Sequence, residues 1–177
     1  MKRYLIVTDM QKDFVDGALG SKEAVSIVPA VCEKIRSFEG DIIATLDTHG
    51  EDYLDTREGR FLPVKHCIKG TEGWELDKNV RQALSEREHM LLEKGTFGSV
   101  DLPPLLEKMS GKEKFEVCVI GLCTDICVVS NAMLIKANFP EADVYVDAKC
   151  CAGVSPETHR AALATMKCCQ MIIENEE

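Results

Sequence analysis

Cys127 closes the segment Gly121-Leu122-Cys123-Thr124-Asp125-Ile126-Cys127, where an apolar run starting at Phe115 gives way to a helix-like pattern over Val128 to Asn138. A thiol there sits at a strand-to-helix turn, facing unpaired backbone N–H groups and the positive end of a helix dipole. Such a setting favours thiolate over thiol and supplies donors for a developing oxyanion. Composition does not single the residue out, because the chain has nine cysteines among 177 residues and most buried cysteines are packing groups. Its position does.

Asp9 follows the apolar run Tyr4 to Thr8, and Lys94 follows the run His89 to Leu92. A carboxylate near a thiol can take its proton and return it to a leaving group, while an ammonium holds the carboxylate. Acyl transfer is the natural reaction of such a set. None of the four histidines stands where a base for Cys127 is needed: His89 opens a strand and His159 lies in the last helix, which makes both structural or surface residues. His49 and His66 differ. Asp47-Thr48-His49 presents two ligand types on one face of an extended segment, and His66 follows in the same loop. An Asp, His, His set with open positions suits zinc, iron or manganese, and equally suits polar loop residues bonded to backbone.

Elements must bring these groups together. Strands are expected over Tyr4 to Thr8, Asp41 to Leu46, His89 to Leu92, Glu116 to Ile120, Asp143 to Val146 and Gln170 to Ile173. They are short and apolar on both faces, as in a parallel sheet covered by helices. Between them, Ile27, Val28, Val31, Ile35 and Phe38 recur at helical spacing, as do Val80 with Leu84, and Val128, Ala132 and Ile135. Ser155-Pro156 reads as N-cap and first turn of a helix over Glu157 to Cys169. The alternation predicts an α/β fold, a Rossmann-like doubly wound parallel sheet with helices on both faces. Thr48 to Leu76 shows no periodicity, and a loop of that length inside a domain is usually functional. In such sheets ligands bind beyond the carboxyl ends of the strands, where Asp9, Asp47, His49, Lys94 and Cys127 all fall.

Residues 1–177 suit a single domain with a full core. The formal charge of −9 argues against nucleic acid or an anionic membrane as partner. No apolar run approaches the ~20 residues that span a bilayer, and the first residues read as a strand rather than an export signal. A cytoplasmic protein with free thiols is expected.

The motifs Asp9-Met10-Gln11-Lys12-Asp13-Phe14, Asp47-Thr48-His49, Leu62-Pro63 with His66-Cys67-Ile68-Lys69-Gly70-Thr71-Glu72-Gly73, Glu93-Lys94 and Gly121 to Cys127 resemble, in order and along nearly the whole chain, the isochorismatase-like cysteine hydrolases, with the nicotinamidase branch most similar. The resemblance implies a three-layer α/β/α sandwich and a triad of Asp9, Lys94 and Cys127. It implies thioester chemistry on a small carboxamide such as nicotinamide, an oxyanion held by the N–H groups of Cys123 and Cys127, and a cis peptide between Leu122 and Cys123. It also implies a divalent ion, zinc foremost with iron or manganese as alternatives, on Asp47, His49 and His66, with Glu58 as a fourth ligand. Phe14, Phe97 and Trp74 are then candidates to pack on the substrate ring, and a homo-oligomer is expected by analogy.

Departures from the nicotinamidase pattern bear on the substrate. Thr48 stands where an aromatic residue is common between the metal Asp and His, and Gly50-Glu51-Asp52-Tyr53-Leu54 replaces a longer loop. The same scaffold serves isochorismate and ureido or carbamoyl compounds, and these remain alternatives. A reading of another class, a non-catalytic thiol-rich metal-binding or redox-sensing protein, is motivated by the nine cysteines.

Overall fold

Fully buried residues dominate the first strand, β1 (Lys2–Thr8), and it lies at the centre of the sheet. The computed structural model describes residues 1–176. Five further strands follow in the chain: β2 (Asp41–Asp47), β3 (His89–Lys94), β4 (Phe115–Leu122), β5 (Asp143–Ala152) and β6 (Ile172–Glu174). Their order in space is β3-β2-β1-β4-β5-β6, and every pairing is parallel. The order reverses between β1 and β4, which opens a crevice at their carboxyl ends.

The helices are α1 (Lys12–Val15), α2 (Lys22–Ser37), α3 (Arg57–Phe61), α4 (Lys78–Ser85), α5 (Leu102–Ser110), α6 (Val129–Asn138) and α7 (Pro156–Cys168). Helices α2 and α4 pack together on one face of the sheet, and α5, α6 and α7 form the other layer. Ser21 starts α2 by accepting the Ala24 N–H, and Ser155 and Thr158 cap α7 reciprocally with Pro156 in the first turn. Between these layers Leu5, Ile6, Val7, Ile43, Val119, Ile120, Val144 and Val146 are buried, each contributing roughly 1.5–3 kcal/mol by leaving water.

The doubly wound α/β expectation holds, with differences in detail, the helices α1 and α5 among them, which no helical spacing marked. β2 and β3 run on through Asp47 and Lys94, so these residues end strands instead of following them. β5 continues to Ala152 past a register shift opposite Val119 to Gly121, which the polar Asp147 and Lys149 hide from an apolar pattern. β6 begins at Ile172 because Gln170 turns with a positive φ of 65°. Within Thr48 to Leu76 lie a 3-10 turn (Tyr53–Asp55) and the five-residue α3, too short to show a period.

Candidate active site

At Gly121 β4 comes so close to β1 that a Cβ there would meet the Thr8 carbonyl oxygen at 2.1 Å. Its φ of +113° is likewise one that side-chain-bearing residues avoid. This approach brings the ends of both strands to one point. Asp9 leaves β1 in the left-handed region, with φ 47°. On β4 the Leu122–Cys123 peptide is cis, and a π-helical turn, Thr124–Val128, carries Cys127 into α6. Such turns recur at functional sites. The Cys123 carbonyl accepts the N–H groups of Ile126 and Val128 at 3.0 and 3.1 Å, on either side of Cys127.

Lys94 joins the groups. Its Nζ lies 2.7 Å from Asp9 Oδ2, 3.3 Å from Asp47 Oδ1 and 3.5 Å from Cys127 Sγ, and it donates to the Thr96 carbonyl at 3.0 Å. Burial works to lower the Lys94 pKa, but the charges of Asp9, Cys127 and Asp47 outweigh it and hold the ammonium firmly charged. Asp9 is fully buried. Burial pushes its carboxyl above the usual range, against the pull of Lys94. The Thr45 hydroxyl donates to Asp9 Oδ1 at 2.6 Å, whereas Oδ2 makes an ion pair without an aligned hydrogen bond and is open to receive a proton. Burial and then the Asp9 charge push the Cys127 thiol well up, with Lys94 opposing. This corrects the expectation of a resting thiolate: desolvation exceeds the helix-terminus effect, and the proton must be removed as the sulfur reacts.

Asp47 turns its other oxygen to the imidazoles, with Oδ2 3.0 Å from His49 Nε2 and 3.6 Å from His66 Nε2. Burial raises the Asp47 pKa, but hydrogen bonds from His49 and His66 and the Lys94 charge hold it well below the ordinary carboxylate range. The three ligand atoms lie within 4.8 Å of one another, and in a tetrahedral zinc shell neighbouring ligands stand about 3.3 Å apart. His66 Nδ1–H donates to the Val64 carbonyl at 2.8 Å, which turns Nε2 toward Asp47, where loss of its proton frees it as a ligand. The donor set therefore fits a divalent ion. Glu58, on α3, places Oε1 3.7 and 3.8 Å from the two Nε2 atoms, in reach of a fourth position. Tyr53 packs its ring on both imidazoles, with centroids 4.7 and 4.9 Å away.

A cavity of about 450 Å³ opens over these groups. Cys127, Cys123, Asp47, His66 and Glu58 line its polar part, while Phe14, Phe97, Leu19, Leu62 and Val154 are among its apolar walls. The Phe14 ring lies 5.4 Å from that of His66, and Phe97 is half-exposed at the mouth. Trp74 is elsewhere: it packs against the core, and its indole N–H donates to Thr48 Oγ1 at 2.9 Å. It does not line this cavity but a separate pocket with Leu46, Leu76, Leu84 and Leu91. Sequence reasoning did not assign roles to Thr45 or Gln11. Gln11 accepts the Asp47 N–H at 2.7 Å and donates to the Asp47 carbonyl at 2.8 Å. Both are fully buried polar residues, and a Thr inside an otherwise apolar strand was the available signal.

All nine cysteines are free. Among the described residues no helix is long and apolar enough to cross a membrane.

Residues 3–177 match the isochorismatase domain family. The chain is 30% identical over 174 residues to the isochorismatase family protein PncA of Bacillus subtilis, covering 93% of each chain. It is 29% identical over 177 residues to the nicotinamidase/pyrazinamidase of Mycobacterium tuberculosis, covering 93% of this chain and 94% of that one. Among solved structures, nicotinamidase/pyrazinamidase PncA from Bacillus subtilis aligns with a TM-score of 0.86 at 26% identity, over 99% of this chain and 100% of the other. The pyrazinamidase of Pyrococcus horikoshii, solved in complex with zinc, aligns with a TM-score of 0.79 at 29% identity, over 98% of each chain. Matched along its length in sequence and in its three-layer fold, the chain belongs to the isochorismatase family.

Proposed function

We propose that this protein is an amidohydrolase that converts nicotinamide, or a close heteroaromatic carboxamide, to the acid and ammonia. One observation carries the reading: Asp9, Lys94 and Cys127 meet beneath a cavity whose wall holds Asp47 and His66, with Asp47 touching both groups of residues. The names of the relatives point the same way. A divalent ion on Asp47, His49, His66 and Glu58, zinc foremost in view of the Pyrococcus horikoshii complex, would supply a Lewis acid for the ring nitrogen of the substrate.

The residues of the chain do the rest. Cys127 attacks the carboxamide carbon as its proton passes to Oδ2 of Asp9, and the N–H groups of Cys123 and Cys127 hold the oxyanion. Asp9 then protonates the amide nitrogen, the C–N bond breaks, and ammonia leaves a thioester on Cys127. Water attacks the thioester, giving a proton to Asp9; the C–S bond breaks, the acid departs, and the proton returns to the sulfur. Lys94 keeps Asp9 charged between transfers. The apolar walls formed by Phe14 and Phe97 flank the ring.

Ammonia release from nicotinamide by the purified, zinc-supplemented protein tests the reading, beside Cys127→Ala and a chelator-treated sample. Turnover lost in both controls supports it. Intact, metal-loaded protein that releases no ammonia ends the nicotinamide assignment and moves the search to ureido compounds and isochorismate.

A further inference from the structure

The turn that carries Cys127 has no side-chain cap at Cys123, so its placement depends on what Thr124 and Asp125 touch. Thr124 is fully buried, and its hydroxyl lies 2.7 Å from Nδ1 of His159. Both carboxylate oxygens of Asp125 accept the Val154 N–H at 3.2 Å. These partners belong to one junction, between β5 and α7. It is tightly closed: a Cβ on Gly153 would meet the His159 backbone nitrogen at 2.9 Å.

His159 is half-buried, and burial lowers its pKa, with Asp125 and Glu176 opposing and Arg160 assisting. A neutral imidazole with its proton on Nε2 lets Nδ1 accept from Thr124, while its far side lines a separate cavity of about 260 Å³. A buried hydroxyl left without this partner is costly, so the turn and α7 are held in register by the pair.

The geometry points to His159 as a positioning residue for the reaction: through Thr124 it fixes the turn that sets Cys127 Sγ against Lys94 and aims the N–H groups of residues 123 and 127. The inference rests on Cys127 being the nucleophile of the proposed reaction. It assigns His159 no contact with substrate. A simple fold-stabilising role makes a different prediction, a lower melting temperature with unchanged turnover per folded molecule.

The test uses the zinc-loaded full chain, four single variants and one double variant. His159→Phe keeps the ring and removes the acceptor, whereas His159→Asn keeps a polar atom near the place of Nδ1. Thr124→Val removes the hydroxyl, and Thr124→Ser keeps it. Two readouts are taken on protein with native circular dichroism: kcat and KM for nicotinamide, and the rate at which iodoacetamide labels Cys127, followed by mass spectrometry of its peptide.

His159→Phe and Thr124→Val are expected to lower kcat roughly 10- to 100-fold with KM within about twofold, as for a slightly misplaced nucleophile. Both should shift Cys127 labelling at least about threefold. His159→Asn and Thr124→Ser recover most of each loss, and the His159→Phe/Thr124→Val double variant is no worse than Thr124→Val alone. Turnover and labelling within about threefold of wild type in His159→Phe, or His159→Asn performing no better than His159→Phe, overturn the inference. Should His159→Phe not fold, Thr124→Val against Thr124→Ser decides on the same criteria. If the wild type does not turn over nicotinamide, the substrate reading fails, and the labelling rates alone judge His159.

Discussion

Asp47 and Lys94, the last residues of adjacent strands, are partners in the β2–β3 ladder and at the same time an ion pair at 3.3 Å. The metal-ligand group and the nucleophile group are therefore joined by backbone register. A one-residue slip of β3 would turn Lys94 to the opposite face and separate them. Lys94 also answers the buried charge of Asp9, and the two side chains are 1% and 0% exposed.

Removing that cation leaves two carboxylates facing each other out of water. Lys94→Met, close in volume, should cost about 3–5 kcal/mol of stability and abolish turnover. Asp9→Asn in the same chain should restore part of the stability and none of the activity. Urea denaturation of wild type and the two variants measures this, and a Lys94→Met protein as stable as wild type would show that Asp9 is neutral at rest.

Thr45 bears on Asp9 from the other side. Its hydroxyl donates to Oδ1 at 2.6 Å and lowers the Asp9 pKa, against the larger upward push of burial. Thr45→Val should raise that pKa further, so the base form appears only at higher pH and the acid limb of kcat/KM moves upward. The rate at neutral pH falls about 10-fold. A profile measured between about pH 5 and about pH 9 that keeps the wild-type acid limb would remove Thr45 from the machinery.

The strand-end rule reached Asp9, Asp47, Lys94 and Cys127 from the sequence because parallel strands buried on both faces announce themselves as apolar runs, and the residues that end or succeed each run must lie at one edge. β3 was legible for its apolar residues, although it is an edge strand with Met90 and Leu91 exposed. Long-range polar contacts leave no such trace. Thr45 to Asp9, Gln11 to Asp47 and Thr124 to His159 span 36, 36 and 35 residues of chain, and no local periodicity reports them. Trp74 was misplaced for the same reason, since proximity to His66 in sequence does not say which way the intervening turn faces. The direction of the Cys127 shift needed burial depth, which spacing does not encode.

Phe97 and Trp74 separate cavity from core. Phe97→Ala opens the mouth of the cavity and should raise KM for the carboxamide about 10-fold, in keeping with the loss of one aromatic contact and its buried area. Trp74→Phe should leave KM within about twofold, because the indole meets Thr48 and the core instead of the cavity. The reverse ranking would relocate the ring-binding wall.

Gln11 grips the main chain of Asp47 on both sides, which fixes the carboxylate between Lys94 and the imidazoles. Gln11→Leu should weaken zinc binding on the order of 10- to 100-fold, the usual cost of losing an outer partner of a ligand. Competition with a chromophoric chelator reads this directly. An unchanged affinity would mean that strand pairing alone positions Asp47.

Buried thiols give the protein an alkaline limit. Burial pushes Cys118 and Cys150 up to about 12 in the folded chain, while an unfolded thiol ionises near its ordinary value of about 8.5. Between these values the unfolded state holds fewer protons than the folded one, so the stabilisation present below about pH 8.5 is lost progressively as pH rises toward 12. Each such thiol contributes a slope of up to about 1.4 kcal/mol per pH unit. Cys118→Ala removes one titrating group: the variant starts less stable through its cavity, but its stability falls less steeply with pH, by about one proton equivalent. Urea midpoints collected from about pH 8 to about pH 11 give both slopes. Parallel slopes for variant and wild type would mean that Cys118 ionises alike in the folded and unfolded chain, contrary to its burial between β1 and β5.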